Sequence, residues 1–179
     1  NTGVATGVDM DGNGRLGEPR DAQGFGLFAG QAGMAILSRL PIETTGIRDF
    51  SGFLWADLPG KLMPPDTPPG QLLSTAGQYD VPVRLPDGRL LHLLTFYATP
   101  PVFDGPEDRN GRRNHDETAF WLRLLDGALP WPAPEPPFVL LGQPNLDPVD
   151  GEGRSDAIRA LLQHPALQDP SPRGTATRN

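Results

Sequence analysis

Glycine and proline recur so densely along this chain, 22 of each among 179 residues, that few stretches can form a core strand or helix without interruption. Such a share raises the prospect of low-complexity disorder. The apolar runs at Met34–Leu37, Leu90–Phe96 and Phe138–Leu141 argue instead for a folded, loop-rich domain. The length suits one domain, residues 1–179, or a large part of one, with enough mass to bury a sizeable core.

The last of those runs is the most informative. Phe138-Val139-Leu140-Leu141 leads straight into Gly142, then a polar loop and a helix start, as a buried strand does when it presents residues at its carboxyl end. Met34–Arg39, stopped by Pro41, reads as a second core strand. Tyr79–Leu85 alternates, Pro86–Arg89 makes a turn, and Leu90–Phe96 is nearly continuous apolar sequence, so a hairpin is expected with its second strand the more buried. His92 in that strand suits a hydrogen-bonded core position better than catalysis. Between these elements, Glu43–Gly77 carries isolated aromatics (Phe50, Phe53, Trp55) and the proline cluster Pro64–Pro69, the pattern of a surface excursion. Asn114 as cap and Glu117 three residues on open a helix over Asn114–Ala128, with Trp121, Leu124, Leu125 and Ala128 on its buried face. A second helix is expected over Ser155–Gln163, and a loop-like tail from Gln168.

Charge and composition narrow the chemistry. A formal charge of −7 works against a general affinity for nucleic-acid phosphates and is compatible with cation binding. With no cysteine there are neither disulfides nor thiolate metal sites. No apolar run approaches the roughly 18 residues of a membrane helix, so no membrane partner is expected. Asp9, Asp11 and Asn13 alternate ahead of Gly14 like the opening of an EF-hand calcium loop, but the twelfth position is Arg20 rather than a closing Glu. A calcium site and a solvated turn both fit. Arg109, Asn110 and Arg113 suit a phosphoester, because a guanidinium fork binds two oxygens; a loop tied by ion pairs to nearby acids competes, and phosphate contact is preferred for Asn110 and Arg113. Asp147, Asp150 and Glu152 read as a helix-entry loop.

Three stretches in order carry a resemblance: GQAGMAILSRLPI, then YDVPVRLPDGRLLHLLTFYATPPVFDGPEDRNGRRNHDE, then FVLLGQPNLDP. Together they are similar to the endonuclease/exonuclease/phosphatase superfamily, and most to a bacterial, often exported branch of phosphoesterases. The resemblance implies an α+β fold, a two-sheet mixed β-sandwich flanked by helices of the deoxyribonuclease type. It also implies water attack on a phosphate ester, assisted by magnesium or manganese, and a secreted or periplasmic setting. The frame Gly142-Gln143-Pro144-Asn145 matches the family's Gly-Asp-any-Asn motif with Gln in the Asp slot, and Tyr97 stands where members carry a histidine. Asn145 is therefore the expected phosphate contact. Gln143 can orient water but cannot take its proton, and Tyr97 can donate a hydrogen bond but stays neutral, so both are either retained binding groups or ordinary loop residues. The family's early metal-binding Glu and late Asp-His pair have no counterpart here, so a fragment incomplete at both ends is expected. Two further readings compete with an impaired phosphoesterase: a non-catalytic domain of the same fold that binds an anionic ligand, and a calcium-stabilised interaction domain.

Overall fold

In the computed structural model, which describes residues 1–171, the alternating run and the apolar run pair as expected. Gln78–Arg84 (β2) and Leu90–Tyr97 (β3) form an antiparallel hairpin whose register runs from Arg84 opposite Leu90 to Gln78 opposite Phe96. A short strand, Arg48–Asp49 (β1), adds to β2, and Phe138–Gln143 (β4) lies parallel to β3, giving a four-stranded mixed sheet in the order β1-β2-β3-β4. The parallel step from β3 to β4 is bridged by Arg109–Leu125 (α1), and Asp156–Leu162 (α2) follows β4. The fold is thus mixed α+β.

Register decides which side of the sheet carries the core, because paired residues point to the same face. Gln78, Asp80, Leu94, Phe96 and Leu140 share one face, and there Leu94 and Phe96 pack with Phe120, Trp121 and Leu124 of α1. On the opposite face Val81 and Val83 are buried, whereas Val139 and Leu141 are 40% and 45% exposed.

Several expectations are corrected. Met34–Arg39 forms no strand: no described segment pairs with it, and Leu37 is 93% exposed. The hairpin's burial is reversed, since β2 is buried along most of its length while the first half of β3 is only half-buried. Glu43–Gly77 is no surface excursion. Phe50, Phe53, Trp55, Leu58 and Leu73 are all core residues, with the Phe50 ring 5.3 Å from Phe120 and 4.9 Å from Trp131. Aperiodic aromatics can be buried in this way because the irregular backbone satisfies itself locally, through Phe53 N–H to Phe50 O (3.0 Å), Trp55 N–H to Gln71 O (2.9 Å) and Leu73 N–H to Phe53 O (2.8 Å). α1 begins at Arg109 rather than Asn114, with Asp108 in the left-handed region ahead of it. α2 lies where expected. The expected loop-like tail from Gln168 falls mostly outside the described residues.

Gly142 is the tightest point of the β3–β4 pair. A Cβ there would sit 2.3 Å from the Phe96 carbonyl oxygen and 2.7 Å from its ring. Gly142→Ala is therefore expected to cost about 2–3 kcal/mol by forcing the strands apart, read as a lower denaturant midpoint. An unchanged midpoint would show that the two strands are not packed in this register.

Candidate functional site

At the carboxyl ends of β3 and β4 the last register pair is Tyr97 opposite Gln143, and the ladder closes with Ala98 N–H to Gln143 O at 3.0 Å. The chain turns at Pro144 and places Asn145 at φ 51°, a left-handed conformation that asparagine tolerates better than most residues. Its Nδ2 donates to the Ala98 carbonyl at 2.7 Å, and its Oδ1 accepts from Gln143 Nε2 at 2.8 Å. Tyr97 is half-buried, and its hydroxyl has no protein partner among the described residues. The structure thus brings Gln143 and Asn145 into direct contact and sets Tyr97 in the neighbouring strand. These three side chains offer a phenol donor and two amides with unused capacity, and none of them is charged as an amide or a phenol.

The strand ends are held from beneath by polar groups on α1. Asn114 Nδ2 donates to Thr99 O and Pro144 O, both at 2.7 Å, joining the exits of β3 and β4. Glu117 accepts the Thr75 amide at 2.7 Å and the Thr99 amide at 2.5 Å, and its carbonyl accepts Gln78 Nε2 at 2.9 Å. Burial pushes the Glu117 carboxyl above its ordinary value, against the pull of Arg113 and of those two amides. Arg113 is turned inward as well: Nε donates to Leu73 O (2.9 Å), and one terminal nitrogen donates to Leu72 O (2.7 Å) and Gln23 O (2.6 Å). Asn114 and Glu117, expected at a helix cap, are instead buried within α1. The available signal was periodicity, since Asn114, Glu117, Trp121 and Leu124 fall on one helical stripe, so the buried face continues backwards through polar residues.

The cationic loop expected around Arg109–Arg113 is the first turn of α1, and its groups have protein partners. Arg109 meets Thr67 Oγ1 at 3.1 Å and Asp66 at 3.2 Å, while Asn110 donates to Val102 O at 2.7 Å. No hydrogen bond joins Arg109, Asn110 or Arg113 to Tyr97, Gln143 or Asn145. His92 is a hydrogen-bonded position as expected, with Nδ1 at 2.8 Å from Asp80, which also accepts two bonds from Arg48. His92 lines a shallow cavity of about 300 Å³ with Arg89, Glu135 and Pro136, at the opposite end of β3 from Tyr97. That cavity holds none of the candidate catalytic, substrate-binding or metal residues read from the sequence.

In the N-terminal loop the acidic constellation differs from the one expected. Asn13 Oδ1 accepts the Arg15 amide at 2.8 Å, and its Nδ2 faces Glu18 at 2.7 Å, so Asn13 does not turn an oxygen toward the two aspartates. The third carboxylate is instead Asp21, and single oxygens of Asp9, Asp11 and Asp21 lie within 4.8 Å of one another. Backbone amides already serve this group: Gly14 N–H, then those of Gly12 and Asn13, hold the Asp9 carboxyl below its usual value, and buried Asp21 accepts the Met10 amide at 2.8 Å. Around Arg20 the chain forms a short 3-10 turn, Pro19–Asp21, rather than the end of a calcium loop.

Comparison with known proteins adds one finding. A family model described as Endonuclease/Exonuclease/phosphatase family matches residues 4–179. No curated protein and no solved structure matches the chain.

Asn114→Ala leaves the Thr99 and Pro144 carbonyls without their shared donor. The expected cost is about 1–3 kcal/mol, seen as a lower melting temperature together with faster amide exchange at Gln143–Leu146. If exchange there is unaltered, Asn114 does not position the strand ends.

Proposed function

The chain belongs to the endonuclease/exonuclease/phosphatase family, and on that premise we propose that it is a phosphoester-recognising domain whose ligand meets the carboxyl ends of β3 and β4. The observation that carries this reading is the hydrogen bond between Gln143 and Asn145 beside an unpartnered Tyr97 hydroxyl. In this proposal the second amide hydrogen of Asn145 and the phenol donate to phosphate oxygens, and Gln143 orients both Asn145 and a water. Arg109 and Asn110 flank the ligand only if their present partners release them. The inward guanidinium of Arg113 plays a structural part.

Members of the family are generally hydrolases that use divalent metals, and the donor set at the strand ends of this chain fits such an ion poorly. Gln143 and Asn145 offer neutral amide oxygens, whereas magnesium and manganese favour carboxylate-bearing sites. The Glu117 carboxylate, tied to the exit of β3 through the Thr99 amide, has both its oxygens on backbone amides. No catalytic step is therefore routed through a metal here, and the function proposed is phosphoester binding with impaired turnover. The Asp9, Asp11 and Asp21 carboxylates have the chemistry for a hard cation such as calcium, and we assign any ion there a bracing role for the N-terminal loop.

The two-sheet sandwich implied by the resemblance belongs to the same proposal. A second sheet would cover the face on which Val139 and Leu141 are exposed. Secretion or a periplasmic setting is proposed on the resemblance alone. No helix of the described residues is long and apolar enough to cross a membrane.

The test pairs binding with turnover. Titration of an aryl phosphate into the wild-type chain is expected to shift the side-chain amide resonances of Gln143 and Asn145. Asn145→Asp keeps a residue tolerant of the left-handed backbone but sets a carboxylate against the anion, and should weaken binding by about tenfold or more, roughly 1.4 kcal/mol. With magnesium or manganese, neither the wild type nor the Tyr97→His/Gln143→Asp variant is expected to hydrolyse an aryl phosphate, an aryl phosphodiester or plasmid DNA. Chelator-sensitive turnover by the wild type would overturn the impaired reading, and unshifted amides would overturn the site.

A further inference from the structure

The chain has three histidines, and each meets a carboxylate, but the demands on their protons differ. His92 has Asp80 at Nδ1 only. His164 faces Asp126 with Nε2 at 3.2 Å while its Nδ1 accepts the Ala166 amide, so a neutral ring with the proton on Nε2 satisfies both contacts. His115 has a carboxylate on each side: Nδ1 lies 2.7 Å from Asp116 Oδ1, and Nε2 lies 3.0 Å from Asp156 Oδ2. A neutral imidazole carries one N–H, which would leave the other nitrogen lone pair against a carboxylate oxygen. Only the imidazolium satisfies both.

The partners also differ in how firmly they are held. Asp116 is fully buried, and its second oxygen accepts Trp55 Nε1 at 2.6 Å and the Leu62 amide at 2.7 Å. Asp156 is the first residue of α2, with its side chain 77% exposed. The His115–Asp156 pair is therefore a fixed cation on α1 gripping the start of α2. It also closes the segment that leaves β4. That segment is held at its beginning by Asn114 on the Pro144 carbonyl and by Asn145 on the Ala98 carbonyl, and at its end by Arg154 on Asp108 at 2.7 Å and by His115 on Asp156.

We propose that His115 acts as a pH-sensitive latch: as an imidazolium it fastens α2 and residues 146–155 to α1, and its deprotonation loosens them. This goes beyond phosphoester binding and stands whether or not the strand ends bind one. The charged groups facing the ring are Asp116 from α1 and Asp156 from α2. Burial by itself would lower the His115 value, but the hydrogen bond to Asp116 and the charge of Asp156 outweigh it and raise the group above its ordinary 6.5. For a cationic group raised on folding, the stabilisation is complete below the unfolded-state value and is lost as pH rises through the folded-state value. Ala157, Ile158 and Leu161 remain buried contacts of α2, so the result is a loosened helix rather than a released one.

The experiment follows the imidazole resonances of the full chain by NMR from pH 5 to 9, together with amide exchange over residues 146–162. His115 is expected to titrate above 6.5, and exchange protection of this segment should fall several-fold across the same midpoint, beyond the intrinsic pH dependence of exchange. Asp156→Asn leaves the buried ring untouched and should lower the His115 midpoint and flatten the protection profile. His115→Gln should give the loosened state at every pH. The latch is overturned if His115 titrates at or below the unperturbed value, or if protection is indifferent to its titration or to Asp156→Asn.

Discussion

The structure turns on one buried carboxyl group. Glu117 lies under the sheet on α1 and accepts the amides of Thr75 and Thr99, one from the loop that enters β2 and one from the loop that leaves β3. Both loops are irregular, so neither amide has a ladder partner, and each would cost about 1–3 kcal/mol if left buried and unpaired. Asn114 extends the arrangement by one turn of helix to the exit of β4. The position of the candidate site is thus set by a helix that reaches it only through backbone groups, and the polar stripe on that helix holds the exits of β3 and β4.

Much of this framework could be read from the sequence, for physical reasons. Leu90–Tyr97 and Phe138–Leu141 announce themselves because glycine and proline leave them uninterrupted, and the turn between Arg84 and Leu90 fixes the hairpin's register. Phe50, Phe53 and Trp55 were misread because burial inside an irregular segment leaves no period to detect. Met34–Arg39 shows the opposite failure, since strand-like residues form a strand only when a partner lies beside them. The start of α1 was placed late because a cap and a buried polar latch both want asparagine and glutamate three residues apart.

The placement of Tyr97, Gln143 and Asn145 at strand ends was legible, and the groups that support them were less so. Tyr97, Gln143 and Asn145 do gather at neighbouring strand ends, as the family motif implies, because strand ends in a parallel pair lie side by side. Arg113 does not gather there, since its guanidinium caps three backbone carbonyls, a role that local sequence cannot distinguish from anion binding. Gln143 limits what these strand ends can do: its amide pairs with Asn145 in a neutral contact and brings no charge to hold a hard cation.

The central claim is that the Glu117 carboxyl joins the two loop ends, and site-resolved amide exchange tests it most directly. If it holds, the amides of Thr75 and Thr99, although outside any strand, exchange as slowly as that of Leu94 in the middle of β3, and both lose that protection together in Glu117→Ala. Rapid, loop-like exchange at either amide in the wild-type chain would contradict the account.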